Sequence, residues 1–213
     1  NPDYLRYYYA GKSSGGVEDL GLNLDDFALR VNADLVGKFV NIASRCAGFV
    51  SKFFDGRLAQ LSSADLGIYA EHSARLHARC RAAYDQRDFG LVLREVMAVA
   101  DSVNGLIAER APWVLAKDES KRGELHAICS LALSLFRLLA AWLKPIVPAL
   151  AQASEDFLGA SVRAFEDVAE PLPAGHAINP FSALATRVDP KQVEAMVDAS
   201  KDTLAPAPEK QPA

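Results

Sequence analysis

Apolar residues recur at helical spacing over most of the first 160 positions. A short first helix is predicted at residues 3–12, and a longer one follows a Gly-rich connector. The longer helix shows apolar positions in steps of three or four, which places them on one face. Asn23 or Asp25 can cap its start, and Asp55-Gly56 is a typical end signal. Its repeat consists of Phe27, Val31, Leu35, Phe39, Ile42, Cys46, Phe49 and Phe53.

Three further amphipathic segments predict helices at about residues 63–84, 88–110 and 120–143. Four long amphipathic helices with short connections bury their apolar faces against one another. The sequence therefore predicts an all-α fold, built as an antiparallel helix bundle. A composition dominated by Leu and Ala, with few β-branched runs, also favours helices.

Prolines change the character of the chain in its last third. The helix that ends near residue 143 is followed by Pro145 and Pro148, which break it before a shorter apolar segment. Beyond Gly159 we expect an extended peptide and then a short helix at about residues 190–200. The last ten residues form a Pro/Ala linker with nothing to bury.

Composition and charge limit the classes of function that this chain can have. No stretch reaches about 20 uninterrupted apolar residues, so we expect no membrane span. The net charge of −4 argues against non-specific nucleic-acid coating. Residues 35–60, however, carry four basic side chains against one acidic, which suits a selective contact with a polyanion.

The cysteines and the start of the chain indicate its context. Cys46, Cys80 and Cys129 lie far apart in helical patterns, so we expect buried free thiols in a reducing, cytoplasmic compartment. Because the chain opens Asn-Pro-Asp without Met, we expect it to be a piece of a longer protein.

Catalytic signals are scarce. The sequence has no G-x-x-x-x-G-K-[ST], G-x-G-x-x-G, H-E-x-x-H or G-x-S-x-G motif. His72 and His77 are five apart, which is poor spacing for one helical face, and we expect surface or core-edge roles for the histidines. The sequence predicts no catalytic, cofactor-binding or metal-binding residue here.

Two features, the Asn41/Arg45 pair and Trp113, each fit either a structural or a ligand-binding role. Asn41 and Arg45 are four apart, so they project about 40° from each other around the helix, away from the apolar face. An amide beside a guanidinium suits a base edge or a phosphate, but the pair also fits an ordinary helix surface. Trp113, which follows Pro112, either plugs the base of the bundle or offers a flat face on which a base can stack.

Eight segments, in order along the chain, carry a family pattern. They are Tyr4–Tyr9 (YLRYYY), Leu22–Phe27 (LNLDDF), Arg30–Val36 (RVNADLV), Val40–Phe49 (VNIASRCAGF), Phe54–Gly56 (FDG), Ala111–Lys117 (APWVLAK), Leu143–Pro148 (LKPIVP) and Asn179–Phe181 (NPF). In these segments the sequence resembles bacterial methionyl-tRNA synthetases, of the class I aminoacyl-tRNA synthetases, and the resemblance extends in order over nearly the whole chain.

The resemblance implies a division of the chain. Residues 1–22 would end a connecting element that contacts the tRNA stem, and residues 23–160 would form the anticodon-binding bundle. Residues 161–203 would be a C-terminal peptide and helix that fold back, and 204–213 a linker. The family's HIGH and KMSKS signatures are absent. The parent would be a methionine–tRNA ligase using ATP with Mg²⁺, with structural zinc in its catalytic half, whereas this chain alone would be inactive and need no cofactor.

The family's anticodon-reading residues map onto Asn41, Arg45, Pro112 and Trp113. The resemblance implies that Trp113 stacks on the first anticodon base, a cytosine, while Asn41 and Arg45 hydrogen-bond its edge. The expected partners are a methionine-acceptor tRNA with a CAU anticodon and the catalytic domain of the same chain, with no membrane and no DNA. We also expect residues 7–9, three tyrosines that would pack partly on that domain, to be more exposed than usual here or buried in a crystal contact.

Two other functions stay open at this point. Another class I synthetase, for cysteine, leucine, isoleucine or valine, would have a similar helical anticodon domain, but the combination of Asn41 and Arg45 with Pro112-Trp113 disfavours it. A helical bundle that binds only proteins is the other alternative, and it predicts a buried Trp113 with Asn41 and Arg45 turned away.

Overall fold

The structure is a computed structural model, and it describes residues 1–14, 16, 21–191, 193–195 and 197. Helices build this part of the chain, and its only β pairing is an isolated bridge between Arg57 and Ala177. The all-α bundle expected from the sequence is confirmed. Its helices are α1 (Pro2–Ala10), α2 (Leu24–Arg30), a π-helix (Val31–Val40), α3 (Asn41–Phe53), α4 (Ser63–Asp85), α5 (Phe89–Arg110), α6 (Pro112–Leu115), a 3₁₀ turn (Glu119–Lys121), α7 (Arg122–Leu143), α8 (Pro148–Leu158) and a second 3₁₀ turn (Phe165–Val168).

Side-chain caps explain where the long helices begin. The first backbone N–H groups of a helix lack partners within it, so a side-chain oxygen just before the helix stabilises its start. Asn23 accepts such a bond at 2.9 Å at the start of α2, and Asp88 accepts one at 2.8 Å at the start of α5. Ser62 accepts one at 3.1 Å before α4. Removing one of these caps should cost about 1 kcal/mol.

The long continuous α-helix expected from the sequence is divided into α2, a π-helix and α3. Residues Val31–Val40 form a π-helix, in which each turn holds more residues than an α-turn. The buried residues Val31, Leu35 and Phe39 follow one another in steps of four. On an α-helix such steps drift by about 40° each, and the wider π-turn gives a drift of comparable size in the opposite direction. All three side chains nevertheless lie in the core.

Helix α7 is the centre of the core and contacts α3, α4, α5 and α8. The helical segment Glu119–Leu143 is long and apolar enough to cross a membrane by length and composition, since an 18-residue stretch of it has a mean hydropathy of 1.6, but 89% of that stretch is buried within the bundle. Its burial identifies it as a core helix. Trp142 on this helix is buried, and its ring stacks on Phe165 at 3.9 Å between centroids.

All three cysteines are free and buried, as expected. Cys46 of α3 and Cys129 of α7 hydrogen-bond to each other, and that contact, together with burial, raises the pKa of Cys46 well above its usual value. Burial raises the pKa of Cys80 to about 12. Protonated thiols in the core are poor nucleophiles, so Cys46 and Cys80 are structural.

The expectation that the tyrosines of α1 are exposed is wrong for two of the three. Tyr7 and Tyr8 are fully buried, and Tyr9 is partly buried. The bundle itself supplies their partners, because α1 contacts α2, α5 and α8. Tyr7 donates a hydrogen bond to Asp34 at 2.9 Å. Burial is the main cause that raises the pKa of Tyr7 well above its usual value, and the charge of Asp34 adds to it.

The peptide after α8 runs back across the bundle. Leu58 N–H donates to His176 O at 2.9 Å, and Val188 N–H donates to the side-chain oxygen of Asn32 at 2.7 Å. Residues 190, 191, 193–195 and 197 are helical, and the rest of the helix predicted at 190–200 lies outside the described residues, as does the linker. The boundaries at residues 22, 160 and 203 stay predictions.

Candidate functional site

The four residues expected to read a base lie on two neighbouring pieces of the bundle. Asn41 is the first residue of α3, and Arg45 follows one turn later. Pro112 and Trp113 open the short helix α6. The guanidinium carbon of Arg45 lies 4.7 Å from the centroid of the Trp113 ring. Packing of the bundle thus brings a cation from α3 onto an aromatic ring of α6.

Trp113 is exposed over 40% of its surface, so it does not plug the base of the bundle. The cause is the chain direction at the end of α5. Ala111 adopts the left-handed conformation, with φ 44° and ψ 64°, and ends the helix there. Pro112 and Leu115 then face the interior, while Trp113 and its neighbour point outward. A large ring held outward on a rigid turn is the geometry that base stacking requires.

Asn41 hydrogen-bonds to Asn104 of α5, a residue that belongs to no recognised sequence motif. Asn41 Nδ2 donates to Asn104 Oδ1 at 2.9 Å. Asn104 Nδ2 in turn donates to the backbone oxygens of Lys38 and Ala100, each at 2.9 Å. No sequence motif predicts this pair, because the two asparagines come into contact only when α3 packs against α5.

The charges around the site differ in how far they are neutralised. Lys38 pairs with Asp101 at 2.9 Å and with Asp34 at 3.7 Å. Its hydrogen bond to Asp101 is the largest cause that raises the pKa of Lys38, against the opposing effect of burial. For Arg45, by contrast, no carboxylate of the described residues lies within ion-pair distance. Its charge is therefore available to an anionic ligand.

Near the end of α3, basic side chains of α3 and α7 lie against an aromatic ring. The rings of Phe49 and Phe53 stack at 6.5 Å between centroids. The guanidinium carbon of Arg122 lies 3.8 Å from the Phe53 centroid, and Lys52 Nζ lies 5.0 Å from it. Phe49 and Phe53, which the sequence pattern placed on the core face, are only partly buried. Basic and aromatic groups of this kind are typical of surfaces that bind single-stranded nucleic acid.

The described residues contain no group of three or more His, Cys, Asp or Glu side chains that could hold a metal ion. His126 is stacked on Phe54 at 3.8 Å between centroids and hydrogen-bonds with Arg57 O at 2.7 Å. His176 hydrogen-bonds with Leu158 O at 2.7 Å. These two histidines therefore have structural partners.

Two family models match successive parts of the chain. Residues 1–47 match the model of class I tRNA synthetases of the methionine type. Residues 59–200 match the anticodon-binding domain of methionyl-tRNA ligase. The two matches flank the segment in which α3 ends, and the second includes Trp113.

Known relatives agree with the family models. Methionine–tRNA ligases of Xanthomonas campestris pv. campestris (strain B100) and Xanthomonas oryzae pv. oryzae (strain PXO99A) are each 53% identical over 204 residues. The alignment covers 96% of this chain but 29% of each relative, so the chain spans under a third of their length.

A solved structure shows the same fold. The apo methionyl-tRNA synthetase of Mycobacterium tuberculosis matches with a TM-score of 0.79 and 24% identity, over 88% of this chain and 39% of that protein. Its complex with methionyl-adenylate matches with a TM-score of 0.77. The chain therefore belongs to the methionyl-tRNA ligase family and carries the family's anticodon-binding domain.

Proposed function

We propose that this chain reads the first anticodon base of a methionine-acceptor tRNA with Asn41, Arg45, Pro112 and Trp113. The observation that carries the proposal is the exposed indole of Trp113 with the Arg45 guanidinium 4.7 Å from its centroid. The base, a cytosine in a CAU anticodon, stacks on Trp113. Stacking of this kind contributes about 1–3 kcal/mol per base.

The roles of the other three residues follow from their chemistry. Arg45 offers several donors without a carboxylate partner among the described residues, and cytosine presents ring acceptors on its pairing edge. Asn41 contributes an amide at the start of the same helix. Pro112 is buried and restricts the backbone that carries Trp113. Unstacked loop bases expose this edge to proteins.

The parent protein is a methionine–tRNA ligase that uses ATP with Mg²⁺ and attaches methionine to this tRNA. The similarity to the Xanthomonas ligases supports this part of the proposal. Catalysis belongs to the portion of the parent that this chain does not span, where a structural zinc ion is also expected. Three buried free thiols fit a reducing, cytoplasmic location.

The alternative of a purely protein-binding bundle required a buried Trp113 turned away from Arg45, which disagrees with the observed exposure and contact. Membership of the methionyl-tRNA ligase family disfavours a synthetase for cysteine, leucine, isoleucine or valine. Neither alternative has an observation of its own in its favour.

The test is direct binding of this chain to four tRNA transcripts that differ only in the first anticodon base, at one stated salt concentration. We expect the cytosine transcript to bind about tenfold more tightly than the others, since one well-read base contributes about 1–3 kcal/mol of discrimination. Equal affinity for all four transcripts would overturn the proposal.

A further inference from the structure

The hydrogen bonds of Asn104 determine which way its amide faces. Its Nδ2 lies 2.9 Å from both Lys38 O and Ala100 O. Backbone carbonyls only accept hydrogen bonds, so the –NH₂ group, with its two hydrogens, must occupy this side. The Asn104 oxygen is therefore turned toward α3, where it accepts from Asn41 Nδ2 at 2.9 Å.

The orientation of Asn104 is passed on to Asn41. Because the Asn104 oxygen can only accept, Asn41 must present its –NH₂ group to it and hold its own Oδ1 on the other side. Turning the Asn41 amide over would set two carbonyl oxygens against each other and lose the bond. No side chain or backbone group of the described residues donates to Asn41 Oδ1. This oxygen is left as an acceptor for a ligand.

We infer that Asn104 is a positioning residue that selects the class of base read at Asn41. The inference rests on the proposed function. An acceptor in this position favours a base with an exocyclic amino group, as in cytosine or adenine, and disfavours the carbonyl of uracil or guanine. Asn104 thereby sets specificity without touching the base.

Two substitutions separate positioning from a merely structural role. Asn104→Leu removes the acceptor, so the Asn41 amide is free to turn and accommodate either kind of base. Asn104→Asp keeps an acceptor for Asn41 Nδ2 but loses both bonds to Lys38 O and Ala100 O. The aspartate variant is therefore expected to have a lower melting temperature than the natural chain. It should still retain the base specificity that the leucine variant loses.

The measurement is the ratio of affinities for tRNA transcripts with cytosine and with uracil at the first anticodon position, for the 213-residue chain and each variant. We expect Asn104→Leu to reduce the ratio about tenfold, mainly because uracil binds better, and Asn104→Asp to leave it within about twofold. Circular dichroism melts establish that each variant is folded. Asn104→Ala replaces the leucine variant if the latter does not fold.

The outcomes distinguish the inference from the proposed function. An unchanged ratio in Asn104→Leu, or an equal loss of the ratio in both variants, overturns the positioning role of Asn104 and leaves the proposed function standing. If the natural chain itself binds the two transcripts equally, the proposed function fails before the variants are considered.

Discussion

Arg45 and Trp113, which come from different helices, form a cation–π contact with the guanidinium carbon 4.7 Å from the ring centroid. A contact of this kind contributes about 0.5–1 kcal/mol at an exposed site. More importantly, the contact holds the Arg45 and Trp113 side chains in one arrangement before a base binds. Such preorganisation lowers the entropic cost of binding.

Removing the indole should weaken tRNA binding without unfolding the bundle. For Trp113→Ala we expect an affinity loss of about 1–3 kcal/mol, the contribution of one stacked base, and loss of most discrimination between anticodon bases. Because Trp113 is 40% exposed, the melting temperature should change little. Titration with the cytosine transcript measures the effect.

The control for this substitution is Val114→Ala. Val114 is the next residue on α6 and is 53% exposed, but it lacks an aromatic face. The Val114→Ala variant should bind tRNA with the same affinity as the natural chain. Equal losses in the two variants would mean that the surface of α6, and not the ring, supplies the affinity.

Arg45→Lys tests whether geometry or charge matters at this position. Lysine keeps the charge but lacks the planar group that lies against Trp113 and forms paired hydrogen bonds. We expect about a tenfold loss of affinity and an unchanged dependence of the binding constant on salt, because no charge is removed. Binding isotherms at several salt concentrations give both quantities. Full affinity in the lysine variant would assign Arg45 the role of a simple counter-charge.

The left-handed Ala111 predicts a stabilising substitution next to the site. A residue with a Cβ in this conformation costs about 1–2 kcal/mol, whereas glycine adopts it freely at an entropic cost of about 0.5–1 kcal/mol. Ala111→Gly should therefore stabilise the fold by up to about 1 kcal/mol in urea unfolding. Ala108→Gly, at an exposed position in the last turns of α5, is the matched control and should destabilise it. Destabilisation by both would show that Ala111 is not strained.

Glu95 of α5 predicts a pH-dependent contribution to stability. Burial alone would raise its pKa, but hydrogen bonds and charges from Arg75 and Arg79, with N–O distances of 3.0 and 3.2 Å, bring the pKa below its usual value. A carboxylate with a lowered pKa stabilises the fold above the pKa of the unfolded chain, about 4.3, and loses that effect as the pH falls through the folded value.

The variant Glu95→Gln measures this contribution. Near neutral pH it should reduce the free energy of unfolding by about 1 kcal/mol, since both arginines are half exposed. The difference from the natural chain should shrink below about pH 4. Glu109→Gln, an exposed position on the same helix without an ion pair among the described residues, should show little difference at any pH. A pH-independent effect at Glu95 would contradict the ion-pair explanation.

Much of the helical architecture could be predicted from the sequence. The cap at Asn23 and the bounds of α5 lie where the sequence predicted them. The apolar period also identified the buried face, although Phe49 and Phe53, which the pattern placed there, are only partly buried. Helix ends and faces are predictable because they depend on residues within a turn or two of one another.

The π-helix and the tyrosines show where local rules stop. A period of four at Val31, Leu35 and Phe39 was compatible with an α-helix, and the choice of wider turns depends on the helices packed around it. Tyr7 is buried because its hydroxyl donates to Asp34 and the surrounding helices pack against its ring. Asp34 lies beyond the Gly-rich connector in the chain. Neither outcome is encoded within one turn of the residue concerned.

The amino-acid sequence by itself determined most of the helices with their approximate boundaries, most of the core face and, through ordered family motifs, the four candidate residues. Tertiary structure alone decided that Trp113 faces outward, that Arg45 lies against it and that Asn104 orients Asn41. The reason is that periodicity and capping act over a few residues, whereas the meeting of α3, α5 and α6 depends on how whole helices pack, which no local pattern specifies.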